Sequence, residues 1–194
     1  MSKKSKMLLI IIGILVILIV IGFLFISKIN KPTKSTPEII AQIKKQNALM
    51  ISLAEQNESL LKGIQDKYDQ RKIKEALDAA IILNQNISQI SEESLKFTDE
   101  IKNMLSVAEN FDSNQRAIIL QLAQNQITSI TNLKDYCAYA DLVKQGIAAE
   151  YEAELDNSPI NLNIQPGELM KEMQNSLKIA KQNLSTASDA LKDL

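Results

Sequence analysis

Cys137 is the single cysteine of the 194-residue chain, which contains no histidine. A thiol acts as a nucleophile once a neighbouring base, most often histidine, has removed its proton. The missing base therefore argues against a catalytic thiolate. Cys137 stands on an apolar helical stripe, so we expect it to be a small buried hydrophobe, with an intermolecular disulfide across a dimer as the alternative.

Ser59 and Lys62 match the Ser-x-x-Lys pattern of acyl-transferring serine enzymes. Those enzymes carry two further motifs, Ser-Asp-Asn and Lys-Thr-Gly, and neither occurs in this sequence. A four-residue match without its companion motifs is expected by chance. We therefore assign no catalytic role to this pair.

Four acidic residues lie at the C-terminal end of the third predicted helix, and we call them the acidic run. They are Glu150, Glu152, Glu154 and Asp156. Glu150 and Glu154 are four residues apart and share a helix face. A weak contact with a divalent cation or a basic partner is one interpretation, and a solvated helix end is the other. No zinc, di-iron or haem motif is present. The sequence thus predicts no catalytic, cofactor-binding or metal-binding residues, no cofactor and no enzymatic activity.

Amide side chains interrupt the apolar stripes or stand beside them, at Gln46, Asn57, Asn84 and Gln126. A buried amide fixes helix register in coiled coils, and we favour either that role or simple exposure at the edge of the stripe. The alternative is a small polar ligand site between helices.

The elements that hold these residues are predicted to be helices. Between Glu38 and Ser158 the sequence has no proline and only two glycines, Gly63 and Gly146, whereas the turns of a β-sandwich need both residue types. The sequence therefore predicts an all-α fold. Periodicity and capping residues place four helices at about 37–66, 69–111, 113–155 and 166–191.

Local signals mark the ends of these helices. Thr36 and Pro37 suit an N-cap and a first helical residue, and Asp112 with Gln115 resembles a capping box. Residues 66–69 form the expected first turn. Residues 156–167 are the expected loop, in which Ile160, Leu162 and Ile164 either plug the bundle end, which we favour, or form an exposed docking strand.

Apolar residues recur in alternating steps of four and three along the predicted helices. This spacing predicts left-handed, coiled-coil-like packing. The simplest arrangement is an elongated antiparallel bundle of about four long helices over residues 37–194, with middle helices of roughly 60–65 Å. An open hairpin that completes its core by oligomerising is the alternative, and Asn84–Asn86 is a candidate kink. The clearest stripes are Leu83, Ile87, Ile90, Ser94, Phe97, Ile101, Met104, Ala108 and Phe111 in the second helix; Ile119, Leu122, Ile130, Leu133, Cys137, Ala140, Val143 and Ile147 in the third; and Met173, Leu177, Ala180, Leu184, Ala187, Leu191 and Leu194 in the fourth.

Residues 7–26 contain no polar or charged side chain. A helix of that length spans roughly 30 Å, the thickness of a bilayer hydrocarbon core. A cleaved signal peptide has a shorter apolar region followed by a small-residue cleavage site, which is missing here. We therefore expect a basic tail at 1–6, a single transmembrane signal anchor at 7–26 that contacts membrane lipid, and a polar linker at 27–36.

The lysines around this segment leave its orientation nearly balanced, with three before it and three after it up to Lys34. The α-amino group favours a cytoplasmic N-terminus, so we expect the C-terminal domain outside the cytoplasm. These lysines are all the charged residues before residue 35, and the rest of the chain is acidic with two arginines, Arg71 and Arg116. Such a domain is a poor binder of nucleic acid.

No motif is specific enough to assign the sequence to a protein family. The sequence favours a non-enzymatic, single-pass membrane protein whose helical bundle mediates protein–protein interaction or structural spacing at the cell envelope. The partner is a second protein or another copy of the chain. The alternative function is an extracytoplasmic sensor bundle that binds a small ligand.

Overall fold

The computed structural model describes residues 35–159 and 165–194, and in these residues every regular element is helical. Four α-helices pack against one another, which confirms the all-α prediction. Residues 36–194 form one compact unit. The α-helices are α1 (Thr36–Asp69), α2 (Ile73–Ser106), α3 (Ser113–Leu155) and α4 (Pro166–Ala190), and short 3-10 helices follow α2 at Ala108–Asn110 and α4 at Leu191–Asp193.

Side-chain contacts give the relative direction of α2 and α3. Asn84 donates to the Asp141 carboxylate at 3.4 Å, and Ser91, further along α2, lies 3.9 Å from the sulfur of Cys137, which comes earlier in α3. The residue number rises along one helix as it falls along the other. These two helices therefore run in opposite directions.

Contacts of α1 show how the bundle closes. Asn47 of α1 contacts Gln126 of α3. Further along both helices, Asn57 of α1 contacts Tyr136 of α3, so α1 and α3 run in the same direction. Asn47 also bonds to α4, at the carbonyl oxygen of Leu184. Each helix packs against its neighbours in the chain, and α1 packs against α4 to close the ring of four.

The predicted apolar stripes form the core. In α4 and the 3-10 turn after it, every predicted stripe position from Met173 to Leu191 is buried. In α2 and the 3-10 turn after it, the stripe from Leu83 to Ala108 is buried except at the half-buried Ile87. In α3 the prediction of a buried Cys137 is confirmed only in part. Cys137 is half-buried, whereas the adjacent Tyr136 is fully buried. The Tyr136 side chain points toward α1, where its hydroxyl contacts Asn57.

The helix boundaries around the first turn differ from the predicted ones. Helix α1 begins at Thr36, so this residue is helical rather than the cap, and it continues to Asp69; the turn occupies residues 70–72. The Lys72 N–H donates to the Lys67 carbonyl and the Arg71 N–H to the Tyr68 carbonyl, a Schellman arrangement with Arg71 at φ 59°. Helix α1 therefore includes both aspartates of the expected turn.

The second helix, in contrast, is shorter than predicted. It ends at Ser106, where Val107 adopts φ −101° and ψ 1°, and a 3-10 turn leads to the extended Phe111. It is continuous through Asn84–Asn86. Helix α3 has the predicted bounds, because Asp112 caps it by accepting hydrogen bonds from the N–H groups of Asn114 and Gln115, both at 2.9 Å.

The predicted basic tail, transmembrane segment and most of the linker lie outside the described residues, as do Ile160, Leu162 and Ile164 of the loop. Across residues 35–159 and 165–194, none of the helices has the length and hydropathy needed to cross a bilayer.

Candidate functional site

An open cleft of about 540 Å³ lies at one end of the bundle, where α1 and α3 end and α4 begins. Its size falls within the range of small-molecule sites. The polar residues that line it come from all three helix ends. They are Gln65, Tyr68 and Asp69 from α1, Glu150 from α3, and Gln165, the N-cap residue of α4, with Glu168 and Lys171 of that helix.

Local sequence ends α1 and α3 and begins α4 at this end of the bundle. The Schellman turn at Arg71 ends α1, and a second one ends α3, where Asn157 has φ 48° and the Ser158 N–H bonds to the Ala153 carbonyl. Asparagine tolerates this left-handed backbone better than most residues. Pro166 suits the first turn of α4 because it has no N–H to satisfy there.

Glu150 is the buried ionisable residue of this site, with 3% of its surface exposed. The Tyr68 hydroxyl donates a hydrogen bond to its Oε1 atom. The Arg71 guanidinium lies 3.8 Å from its Oε2 atom, although the Arg71 side chain is 74% exposed. A buried carboxylate needs donors on both oxygens to offset its lost hydration. Glu150 has a hydrogen-bond donor on one oxygen and a longer ionic contact on the other.

Two buried oxygen atoms of the cleft residues accept no hydrogen bond. They are Glu150 Oε2 and Gln65 Oε1. The Gln65 amide nitrogen donates a hydrogen bond to the Asp69 carboxylate at 2.8 Å, so the Gln65 amide oxygen points away from Asp69. Buried acceptors of this kind are few in native proteins and call for a donor.

The environment of Tyr68 holds its proton firmly. Burial raises the pKa of Tyr68 well above its usual value, and the hydrogen bond to the Glu150 carboxylate raises the pKa further. The phenol is therefore a donor at neutral pH, not a base.

The structure divides the acidic run. Glu150 points into the bundle, whereas Glu152, Glu154 and Asp156 are exposed. The described residues contain no group of three or more histidine, cysteine, aspartate or glutamate side chains arranged to hold a metal ion. The hydrogen bond and the ionic contact of Glu150 come from Tyr68 and Arg71, which are distant in sequence, so the spacing of residues along α3 does not predict them.

Amide groups form a second polar feature inside the bundle. Asn47 donates to the Leu184 carbonyl at 3.0 Å and accepts from Gln126 at 3.4 Å, so one side chain joins α1, α3 and α4. Asn57 accepts from the Tyr136 hydroxyl at 3.4 Å. These contacts agree with a register role for Asn57 and Gln126.

The buried amide in this part of α1 is Asn47, not the predicted Gln46. The core position follows Ile43 by four residues and precedes Met50 by three, which is the signal that identifies it. Gln46 is half-buried and donates to the Glu93 carboxylate at 2.8 Å. Asn84 is half-buried as well, in contact with Asp141.

The remaining candidates for chemistry lie apart from the cleft. Ser59 and Lys62 are exposed on α1. Burial raises the pKa of the Cys137 thiol, and the Ser91 hydroxyl beside it lowers the pKa by a smaller amount. A raised pKa disfavours the nucleophilic thiolate.

Comparison of the chain with protein-family models, with curated proteins and with solved structures finds no match.

Proposed function

We propose that the chain is a non-enzymatic, single-pass membrane protein whose helical bundle lies outside the cytoplasm and serves as a protein-contact or spacing module at the cell envelope. The support for anchoring is the 20-residue apolar segment at 7–26. Helix α1 begins at Thr36, ten residues after that segment ends. A short polar linker is sufficient to connect a membrane helix to a folded domain.

The single observation that carries the proposal is the arrangement of the described core. Long stripes of apolar residues are buried among four helices, and the amides of Asn47 and Gln126 join three of them. The 43 residues of α3 correspond to about 65 Å of helix. A helix of this length supports an elongated, coiled-coil-like bundle suited to spacing.

The candidate chemistry supports a non-enzymatic role. Cys137 is a half-buried thiol whose pKa is raised by burial, and the Ser59 and Lys62 pair is exposed. The Tyr68 hydroxyl is held as a hydrogen-bond donor to Glu150.

Membrane attachment is tested first, by alkaline carbonate extraction of membranes that contain the full chain. We expect the chain in the pellet. Replacing Leu15 and Ile19 with arginine costs about 2.5–3.5 kcal/mol of insertion free energy per residue and should release the chain. Exchange of the same two residues for valine is the matched control. Release of the unmodified chain would contradict anchoring.

Partner contact is tested by chemical crosslinking in native membranes followed by mass spectrometry. We expect crosslinks from lysines of the bundle to a second protein or a second copy. Recovery of uncrosslinked monomer alone at native expression would contradict the proposal. Protease digestion of intact cells tests orientation, and we expect the bundle to be cleaved without cell lysis.

The alternative function is an extracytoplasmic bundle that binds a small ligand. The observation that favours it is the cleft beside Glu150 and its two acceptors without donors. A ligand-binding role is compatible with membrane anchoring, since the two depend on different parts of the chain.

A further inference from the structure

The cleft at the bundle end presents acceptors without donors. Glu150 Oε2 and Gln65 Oε1 are buried and accept no hydrogen bond, and both residues line the same open cavity. Leaving such atoms unpaired is unfavourable, and more so for a charged group. A molecule that donates two or more N–H bonds would remove both penalties.

The charges of the cleft favour a cation. Among its described lining residues, the carboxylates are Asp69, Glu150 and Glu168, and the ammonium group is that of Lys171. Arg71 adds a second positive charge, at 3.8 Å from Glu150, on a largely exposed side chain that a ligand can displace into solvent. The lining stays acidic when both basic residues are counted, so its field attracts positive charge.

We propose that this cleft binds a small organic cation that carries an ammonium or guanidinium group. The cationic group takes the place of the Arg71 guanidinium beside Glu150 Oε2. Glu150 Oε2 and Gln65 Oε1 have almost no accessible surface, so binding requires the Arg71 and Gln65 side chains to move aside before the ligand donates to both oxygens. An ammonium offers three N–H donors and a guanidinium five, which is enough for both acceptors. The binding site goes beyond the proposed anchoring and contact function and does not depend on it.

The surroundings select against two other ligand classes. A divalent cation needs several oxygen ligands with convergent geometry, and the described residues hold no such acidic group. An anion meets the buried Glu150 carboxylate and the two exposed carboxylates of the cleft, which repel it. The volume of about 540 Å³ leaves room for the aliphatic body of a diamine or triamine beyond its charged end.

Isothermal titration calorimetry of the full chain in detergent micelles tests the proposal, with putrescine, agmatine and spermidine as probes. We expect saturable binding of at least one of them. Glu150→Gln keeps the shape of the side chain and an acceptor for Tyr68 but removes the charge. We expect it to weaken binding at least tenfold, because it removes the ionic partner of the ligand and places an NH₂ donor where the ligand would donate.

Glu154→Gln is the matched control, since Glu154 lies one helical turn further along α3 and is exposed. We expect unchanged binding. Absence of saturable heat with all three probes, or equal affinity in the folded Glu150→Gln protein, would overturn the proposal.

A second variant covers the case in which Glu150→Gln does not fold. Gly167 lines the cleft, and a methyl group there would meet the Tyr68 ring at 3.8 Å, an ordinary contact. Gly167→Leu should therefore fold and fill the cavity, with at least a tenfold loss of affinity, whereas Gly63→Leu is the control outside the cleft. Unchanged affinity in Gly167→Leu would place the ligand elsewhere and overturn the assignment.

Discussion

The Tyr68 hydroxyl donates a hydrogen bond to the buried carboxylate of Glu150, 82 residues away along the chain. The bond joins the last turns of α1 and α3, which run in the same direction and do not follow one another in sequence. It places a neutral donor on one oxygen of a charge that the bundle has removed from water. This pair therefore links the stability of the bundle end to the chemistry of the cleft.

Removing the Tyr68 hydroxyl should destabilise the bundle. Tyr68→Phe leaves both Glu150 oxygens without a hydrogen bond, and a bond to a charged group contributes about 1.5–3 kcal/mol. We expect the free energy of unfolding in urea to fall by that amount. Tyr139→Phe, at a half-buried tyrosine of α3, is the control and should change the value by less than about 0.5 kcal/mol. Equal losses in the two variants would contradict the role of the bond.

Alkaline pH should unfold the protein through its tyrosines. Burial raises the pKa of Tyr136 and of Tyr68 above the ordinary value of 10.0, and the Glu150 carboxylate raises that of Tyr68 further. A group whose pKa rises on folding contributes stability that is complete below its unfolded pKa and is lost as the pH increases. We expect the free energy of unfolding to fall above about pH 10.

The Tyr68→Phe protein separates this effect from lysine titration. It lacks one of the two tyrosines whose pKa is raised, so its free energy of unfolding should decline less steeply between pH 10 and 12. The same slope in both proteins would show that Tyr68 makes no contribution. Absorbance at 295 nm provides a second measurement, since the folded chain should show fewer than its four tyrosinates at pH 11 and reach the full number on unfolding.

The amides of Asn47 and Gln126 should act as a coupled pair. Asn47→Ala removes the acceptor of the Gln126 N–H and the donor to the Leu184 carbonyl, and we expect a loss of about 1–3 kcal/mol in unfolding free energy. The double variant with Gln126→Ala should lose less than the sum of the two single variants. Strict additivity in that double-mutant cycle, measured by urea denaturation, would contradict the coupling.

Much of the helical fold follows from local sequence. Asp112 lies beside the N–H groups it caps, so the start of α3 needs no information from elsewhere. The unbroken stripe of α4 likewise fixes its buried face from residues only three or four apart.

Sequence reasoning failed where a local turn lacks its usual residue and where distant residues decide the outcome. Arg71 adopts a left-handed backbone that is usually occupied by glycine, so the composition of the first turn gave no marker for it. The cleft was missed for a similar reason. Glu150 resembles its exposed neighbours Glu152 and Glu154 in sequence, and only the packing of α3 against Tyr68 distinguishes it.

The capping role of Asp112 yields a direct stability prediction. Asp112→Ala removes the acceptor of two N–H groups at the start of α3, which should cost about 0.5–2 kcal/mol. Asp112→Asn retains a side-chain oxygen and should recover most of the loss. Thermal unfolding followed by circular dichroism measures both. A failure of asparagine to restore stability would show that charge, not the capping bond, is what matters.

Phe97 and Leu95 provide a test of the buried stripe within one helix. Phe97 is fully buried, whereas Leu95, two residues earlier in α2, is 65% exposed. Phe97→Ala should lower the free energy of unfolding by about 3–5 kcal/mol, because it removes a large apolar side chain and leaves a cavity among the four helices. Leu95→Ala should change the free energy of unfolding by less than about 0.5 kcal/mol, since that side chain is largely exposed to solvent in the folded protein. Urea denaturation of the two variants at equal concentration gives the comparison, and similar losses would mean that α2 buries a different face from the one that carries Leu83, Ile90 and Phe97.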